Sequence, residues 1–136
     1  MEGFPFVHRE RVRFRDLDAM GHVNNAVFLT YLEQARFRFL EHLGLAQLEQ
    51  EPPLILARVE IDFRSQATFG DELAVGVRSG RVGTKSFELE FELRVADRLV
   101  AEARSVQVAY DYSAGETREL DERWRELLAA TQIQAV

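Results

Sequence analysis

The chain has 136 residues, 46% of them apolar and 29% charged, with a net charge of −6 and no cysteine. This is the composition of a globular chain, not of a disordered one, and it excludes disulfide staples, thiol nucleophiles and thiolate metal sites. The acidic balance argues against nucleic acid as a partner, because backbone binders carry a basic excess or stripe.

The length fits one domain, taken as residues 1–136. The opening MEGFPFVHRE lacks the basic region and apolar core of a signal peptide, and no apolar run is long enough to span a bilayer. A cytoplasmic protein without a membrane partner is therefore expected.

The first predicted element is a strand from His8 to Phe14, with Val12 and Phe14 alternating against arginines. After a polar loop, Ala26 to about Leu43 contains no proline or glycine. Phe28, Leu32, Ala35, Phe39 and Leu43 recur there at helical spacing, and Leu29, Tyr31, Phe37 and Leu40 broaden the stripe. That predicts a long helix surrounded over much of its circumference, which Gly44 is placed to end.

Pro52 and Pro53 mark a break, after which the period changes to two. Val59, Ile61 and Phe63 alternate with charged residues, and Gly70 and Asp71 form a turn. Leu73, Val75 and Val77 alternate again to Arg78, SGRVGTKS reads as a turn, and Phe87 to Val95 is the clearest strand. Asp97 and Arg98 lead into the valine- and alanine-rich strand LVAEARSVQVAYDY. A closing helix, LDERWRELLAAT, has Trp124, Leu127 and Leu128 on one face.

Strands joined by short turns require antiparallel pairing. The expected class is thus α+β, with about five antiparallel strands curled around one long helix and a short C-terminal helix. With so little helix left to cover the other face of the sheet, a second subunit is expected there and the chain is expected to be a homo-oligomer.

Chemistry concentrates in DLDAMGHVNN, Asp16 to Asn25, at the helix entrance. Aspartates suit turns, glycine permits unusual backbone, and Asn24 or Asn25 is a good N-cap. Together they allow more. The first turn of a helix presents unpaired N–H groups and a partial positive charge that can hold a developing oxyanion. A nearby carboxylate can act as nucleophile or as general base on water. Asp18 is the candidate, with Gly21 letting the loop fold back over the helix start. Only His22 stands near the two acids as a third ligand, so no metal is expected.

The run VRFRDLDAMGHVNNAVFLTYLEQARFRFLEHLG resembles the signature of the 4-hydroxybenzoyl-CoA thioesterase-like branch of the hotdog-fold superfamily, and the resemblance continues in VEIDFRSQATFGDELAV and GTKSFELEFEL. It implies a five-stranded antiparallel sheet wrapped around one long central helix, dimers with a continuous sheet, and commonly dimers of dimers. It implies Asp18 as the catalytic acid, Asp16 as a loop-ordering residue and the backbone N–H of Asn25 as the donor to the thioester carbonyl. His22 and the Asn25 side chain would shape the site or orient water.

Gly21, Arg81, Lys85 and Ser86 are the residues the resemblance sets against the substrate and its CoA phosphates, although the last three also read as a solvated turn. The helix acid Glu33 fits a supporting role. Phe14, Phe28, Tyr31 and Phe63 could line an acyl tunnel or could be core. The implied activity is hydrolysis of an acyl- or aroyl-CoA to the free acid and CoA, with no cofactor. Two other readings use the same fold: a dehydratase or hydratase of 3-hydroxyacyl thioesters, and a non-catalytic acyl-CoA-binding module. A loop position for His22 disfavours the first, and the cost of placing a carboxylate beside a thioester disfavours the second.

Overall fold

The computed structural model describes residues 1–47 and 53–132. Its long helix, α1, spans Asn25–His42 and buries Phe28, Tyr31, Leu32, Ala35, Phe39 and Leu40. Local chemistry sets both ends. Asn24 is the N-cap, its side chain accepting the Ala26 N–H. At the other end Gly44 takes φ +78°, and the amides of Gly44 and Leu45 return to the carbonyls of Glu41 and Leu40 at 2.9 and 2.8 Å, a Schellman closure.

Five strands wrap this helix: β1 Phe6–Arg11, β2 Leu54–Phe63, β3 Glu72–Val82, β4 Ser86–Val95 and β5 Arg98–Asp111, in the order β1-β3-β4-β5-β2 and all antiparallel. A two-residue β6, Glu116–Thr117, pairs with β5, and a short helix α2, Glu122–Ala129, follows. In α2 Leu128 is buried and Trp124 packs 6.1 Å from the Phe87 ring.

The inner face of the sheet is the core: Leu73, Val75 and Val77 on β3, and Phe87, Leu89, Phe91 and Leu93 on β4, are all buried. On β5 the inward positions Ala101, Ser105 and Ala109 are small and buried, which leaves room for the helix, and Gln107 is the one large buried side chain among them. This is the α+β hotdog architecture.

Three expectations are corrected. The first strand ends at Arg11 instead of Phe14, because the Asp16 carboxylate takes the Arg13 N–H at 3.0 Å and bends Phe14–Asp16 into a 3-10 turn. Phe14 is consequently 78% exposed, packed edge-on against Phe69 at 6.2 Å, and is neither core nor tunnel wall. Second, β3 runs on to Val82, so Arg81 lies in a strand and only residues 83–85 turn.

Third, the outer face of the sheet does not demand cover. It carries ion pairs joining Arg78 to Glu90 at 2.9 Å, Arg104 to Glu90 at 3.6 Å and Arg94 to Glu92 at 2.8 Å. A face of alternating charges keeps its hydration at little cost, so burial of this face supplies no argument for a second subunit. Of the expected break at Pro52 and Pro53, Pro52 lies outside the described residues.

The N-terminal segment straps across this outer face. Phe4 lies on Gly76 of β3, Arg78 stacks 4.7 Å from the Phe4 ring centroid, and the Arg78 guanidinium donates to the Gly3 carbonyl at 3.1 Å. A Cβ on Gly76 would come within 2.7 Å of the Phe4 ring. Gly76→Ala is expected to unseat the strap and lower the unfolding free energy by about 1 kcal/mol. A urea midpoint equal to that of the native chain would show that Phe4 contributes no packing.

Candidate active site

The loop from Leu17 to Asn24 is a tight reversal. Leu17 and Val23 form a bridge, the Asp18 N–H donates to the His22 carbonyl at 2.8 Å, and the Gly21 N–H donates to the Asp18 carbonyl at 3.1 Å. Gly21 has φ +80°, a value side-chain-bearing residues rarely take.

The two acids of the DLD motif have separate fates. Asp16 is 3% exposed and accepts from the Tyr31 hydroxyl at 2.7 Å, the Arg13 N–H at 3.0 Å and the Arg13 guanidinium at 3.3 Å, while its carbonyl takes the Asn24 N–H at 2.9 Å. It ties the loop to α1. Burial pushes the Asp16 carboxyl up, but the Arg13 amide, the Tyr31 hydroxyl and the Arg13 side chain together outweigh it and hold the group below the usual carboxylate range. Burial, and then the hydrogen bond to Asp16, push the Tyr31 hydroxyl well above the usual phenol range.

Asp18 is solvent-exposed instead. Its Oδ1 accepts the N–H groups of Met20 at 2.8 Å and His22 at 3.3 Å, and its Oδ2 has no partner among the described residues. One oxygen orients the carboxylate and the other is available.

Across the same cleft begins α1. The Asn24 side chain takes the Ala26 N–H and the Asn24 carbonyl takes the Val27 N–H, both at 2.9 Å. The intervening N–H of Asn25 has no partner among the described residues, which makes it a donor aligned with the helix dipole.

Asp18, His22 and Asn25 share a cleft of about 410 Å³, a volume in the ordinary range for small-molecule sites. Its apolar wall is Met20, Val23, Phe28 and Phe63, and its rim is Arg64, Ser65 and Gln66. Phe28 and Phe63 meet edge-to-face at 5.3 Å, with Tyr31 behind Phe28 at 5.9 Å. A larger concavity, about 520 Å³, lies on the outer sheet face among Glu60, Arg78, Glu90 and Arg104. Its arginines Arg78 and Arg104 are both ion-paired to Glu90, so their charge is already engaged.

The structure therefore brings together Asp18, Gly21, His22 and Asn25. Within one chain it does not bring Arg81, Lys85 and Ser86 to them. The loop is bonded to Thr68, just ahead of β3, whereas Arg81 is nine residues along that strand from its start at Glu72, about 30 Å away at the usual rise. Sequence reasoning missed Met20 and the rim residues Arg64, Ser65 and Gln66. Met20 stands inside the quoted motif but carries no chemical signature, and the rim belongs to a loop whose relation to Asp18 exists only through the sheet.

A family profile described as the thioesterase-like superfamily matches residues 12–130. Uncharacterized protein YsmA of Bacillus subtilis is 27% identical over 65% of this chain and 60% of its own, so the match spans less than two thirds of that relative. The 1,4-dihydroxy-2-naphthoyl-CoA hydrolase of Nostoc punctiforme is 29% identical over 85% of this chain and 80% of its own. Among solved structures, a thioesterase from Thermus thermophilus complexed with coenzyme A and Zn superposes with a TM-score of 0.86 at 37% identity, covering 100% of both chains. With the fold and most of its length matched in this way, the chain belongs to the thioesterase-like superfamily and is by class a thioester hydrolase.

Proposed function

We propose that the chain hydrolyses an acyl-CoA, with an aromatic acyl group preferred, to the free acid and CoA. The observation that carries this reading is the pairing, across one cleft, of a carboxylate with an available oxygen and a helix N-terminal amide without a partner among the described residues, Asp18 and Asn25.

The thioester carbonyl oxygen accepts the Asn25 N–H, and the helix dipole stabilises the charge that develops there. Asp18 acts as general base: being exposed, it is reached by water directly, and it takes a proton from the water that attacks the carbonyl carbon. Collapse of the tetrahedral adduct breaks the C–S bond and expels CoA thiolate, which takes up the proton that Asp18 accepted and so restores the carboxylate. His22, beside Asp18, orients the water, and Gly21 lets the loop approach the substrate. The edge-to-face Phe28 and Phe63 pair favours a flat ring in the acyl position. The substrate named for the Nostoc relative is of that kind.

The CoA phosphates are assigned to Arg81, Lys85 and Ser86 of a second copy. β2 pairs with β5 on one side only, leaving its other edge open among the described residues. Antiparallel pairing of two β2 edges sets the Phe63 end of one copy beside the Leu54 end of the other. Ser86 of that second copy, at the start of β4, is then two strands in, roughly 10 Å from the shared edge. The chain works in this reading as a homodimer that pairs again into a tetramer.

The test is a panel of benzoyl-, 1,4-dihydroxy-2-naphthoyl-, acetyl- and palmitoyl-CoA with a thiol-reactive dye. Steady thiol release, fastest with the aromatic substrates, is expected. Tight binding of all four without release would replace the enzyme with a binding module, and loss of enoyl absorbance from crotonyl-CoA would replace it with a hydratase.

A further inference from the structure

We infer that Thr68 is a positioning residue for the Asp18 carboxylate, acting through a single peptide unit. This rests on the thioesterase reading above. The Thr68 hydroxyl donates to the Gly21 carbonyl at 2.9 Å, and the N–H of the same peptide, that of His22, donates to Asp18 Oδ1 at 3.3 Å. A trans peptide is planar with its C=O and N–H pointing in opposite directions. Anchoring the oxygen on one side therefore aims the hydrogen at the carboxylate on the other.

The anchor is needed because of where the peptide lies. Gly21 sits at φ +80° with nothing within 4 Å of where a Cβ would be, so the peptide that follows it carries a glycine's freedom of rotation, and the bonds on its N–H side and the Thr68 hydroxyl on its C=O side together fix its plane. A rotated peptide would turn the Gly21 carbonyl toward Asp18 and set two oxygens against each other. Thr68 is itself fixed from behind. Its N–H donates to Asp71 Oδ2 at 3.0 Å, His22 and Thr68 form a backbone bridge, and the next loop residue back, Ala67, takes the Val23 N–H at 2.9 Å. The hydroxyl is thus presented from a braced turn while the loop it holds has a glycine hinge.

The side chain of Thr68 is exposed and does not line the cleft, so its loss removes neither core packing nor a substrate contact. Thr68→Val keeps the branched shape and deletes the hydroxyl, Thr68→Ala deletes both, and Thr68→Ser keeps the hydroxyl. With benzoyl-CoA, Thr68→Val and Thr68→Ala are expected to lower kcat about tenfold with KM and the melting temperature little changed, and Thr68→Ser to restore kcat. On an Asp18→Asn background, Thr68→Val is expected to cost little more, because the group being positioned is gone.

Native kcat in Thr68→Val and Thr68→Ala beside an inactive Asp18→Asn would overturn the role of Thr68 and leave the proposed function standing. Equal losses in the valine and serine variants would overturn it as well. Native activity in Asp18→Asn, or no thiol release by the native chain across the panel, would instead remove the reading on which the inference rests.

Discussion

Asp18→Asn lowers kcat for thiol release from benzoyl-CoA by about a hundredfold or more, the scale of a lost general base, without loss of fold. The substitution is nearly isosteric, and an asparagine Oδ1 still accepts the N–H groups of Met20 and His22 that shape the turn. What disappears is a group able to take a proton from water. Because Asp18 is exposed and makes no core contact, the melting temperature should be close to that of the native chain, and KM should move less than kcat. His22→Ala, which leaves the carboxylate in place, should cost clearly less. Turnover near the native rate in the asparagine variant would remove Asp18 from the chemistry.

The neighbouring acid has the opposite profile. Asp16→Ala should destabilise the fold by about 3 kcal/mol, the sum expected when hydrogen bonds to a charged group are lost and a buried donor is orphaned. The Tyr31 hydroxyl would lose its 2.7 Å acceptor inside the core, and the Arg13 amide would lose the partner that forms the 3-10 turn. Denaturant unfolding measures this directly, and a loss below about 1 kcal/mol would mean that water replaces the carboxylate at no cost.

The pH dependence carries a sign. The folded Asp16 carboxyl is held below its ordinary value of 3.8, so its contribution is present above that pH and is lost as the pH falls through the depressed folded value. Tyr31 is shifted upward from 10.0, so its contribution is present below that pH and is lost as the pH rises through the higher folded value. Asp16→Asn should therefore flatten the acid limb of a stability–pH curve below about pH 4.

The amino-acid sequence by itself determined the parts of this protein whose causes are local. The α1 stripe was legible because Phe28, Leu32, Ala35 and Phe39 repeat at the period of the helix they form, and both ends carry their own cap chemistry in Asn24 and Gly44. That Asp18, His22 and Asn25 line one cleft was legible because eight residues contain them all at the entrance of the helix. Tertiary structure alone decided the remainder, because those contacts are made by strand pairing, which no spacing along the chain encodes. Thr68 meets Gly21 across a separation of 47 residues, and Phe63 meets Phe28 only because β2 ends where α1 begins. The two acids of one motif diverged for the same reason: Tyr31, one helical turn beyond Phe28, buries against Asp16 and leaves Asp18 to the solvent. Arg81, Lys85 and Ser86 lie at the far end of the sheet because β3 runs away from the loop, a direction set by its antiparallel register with β1.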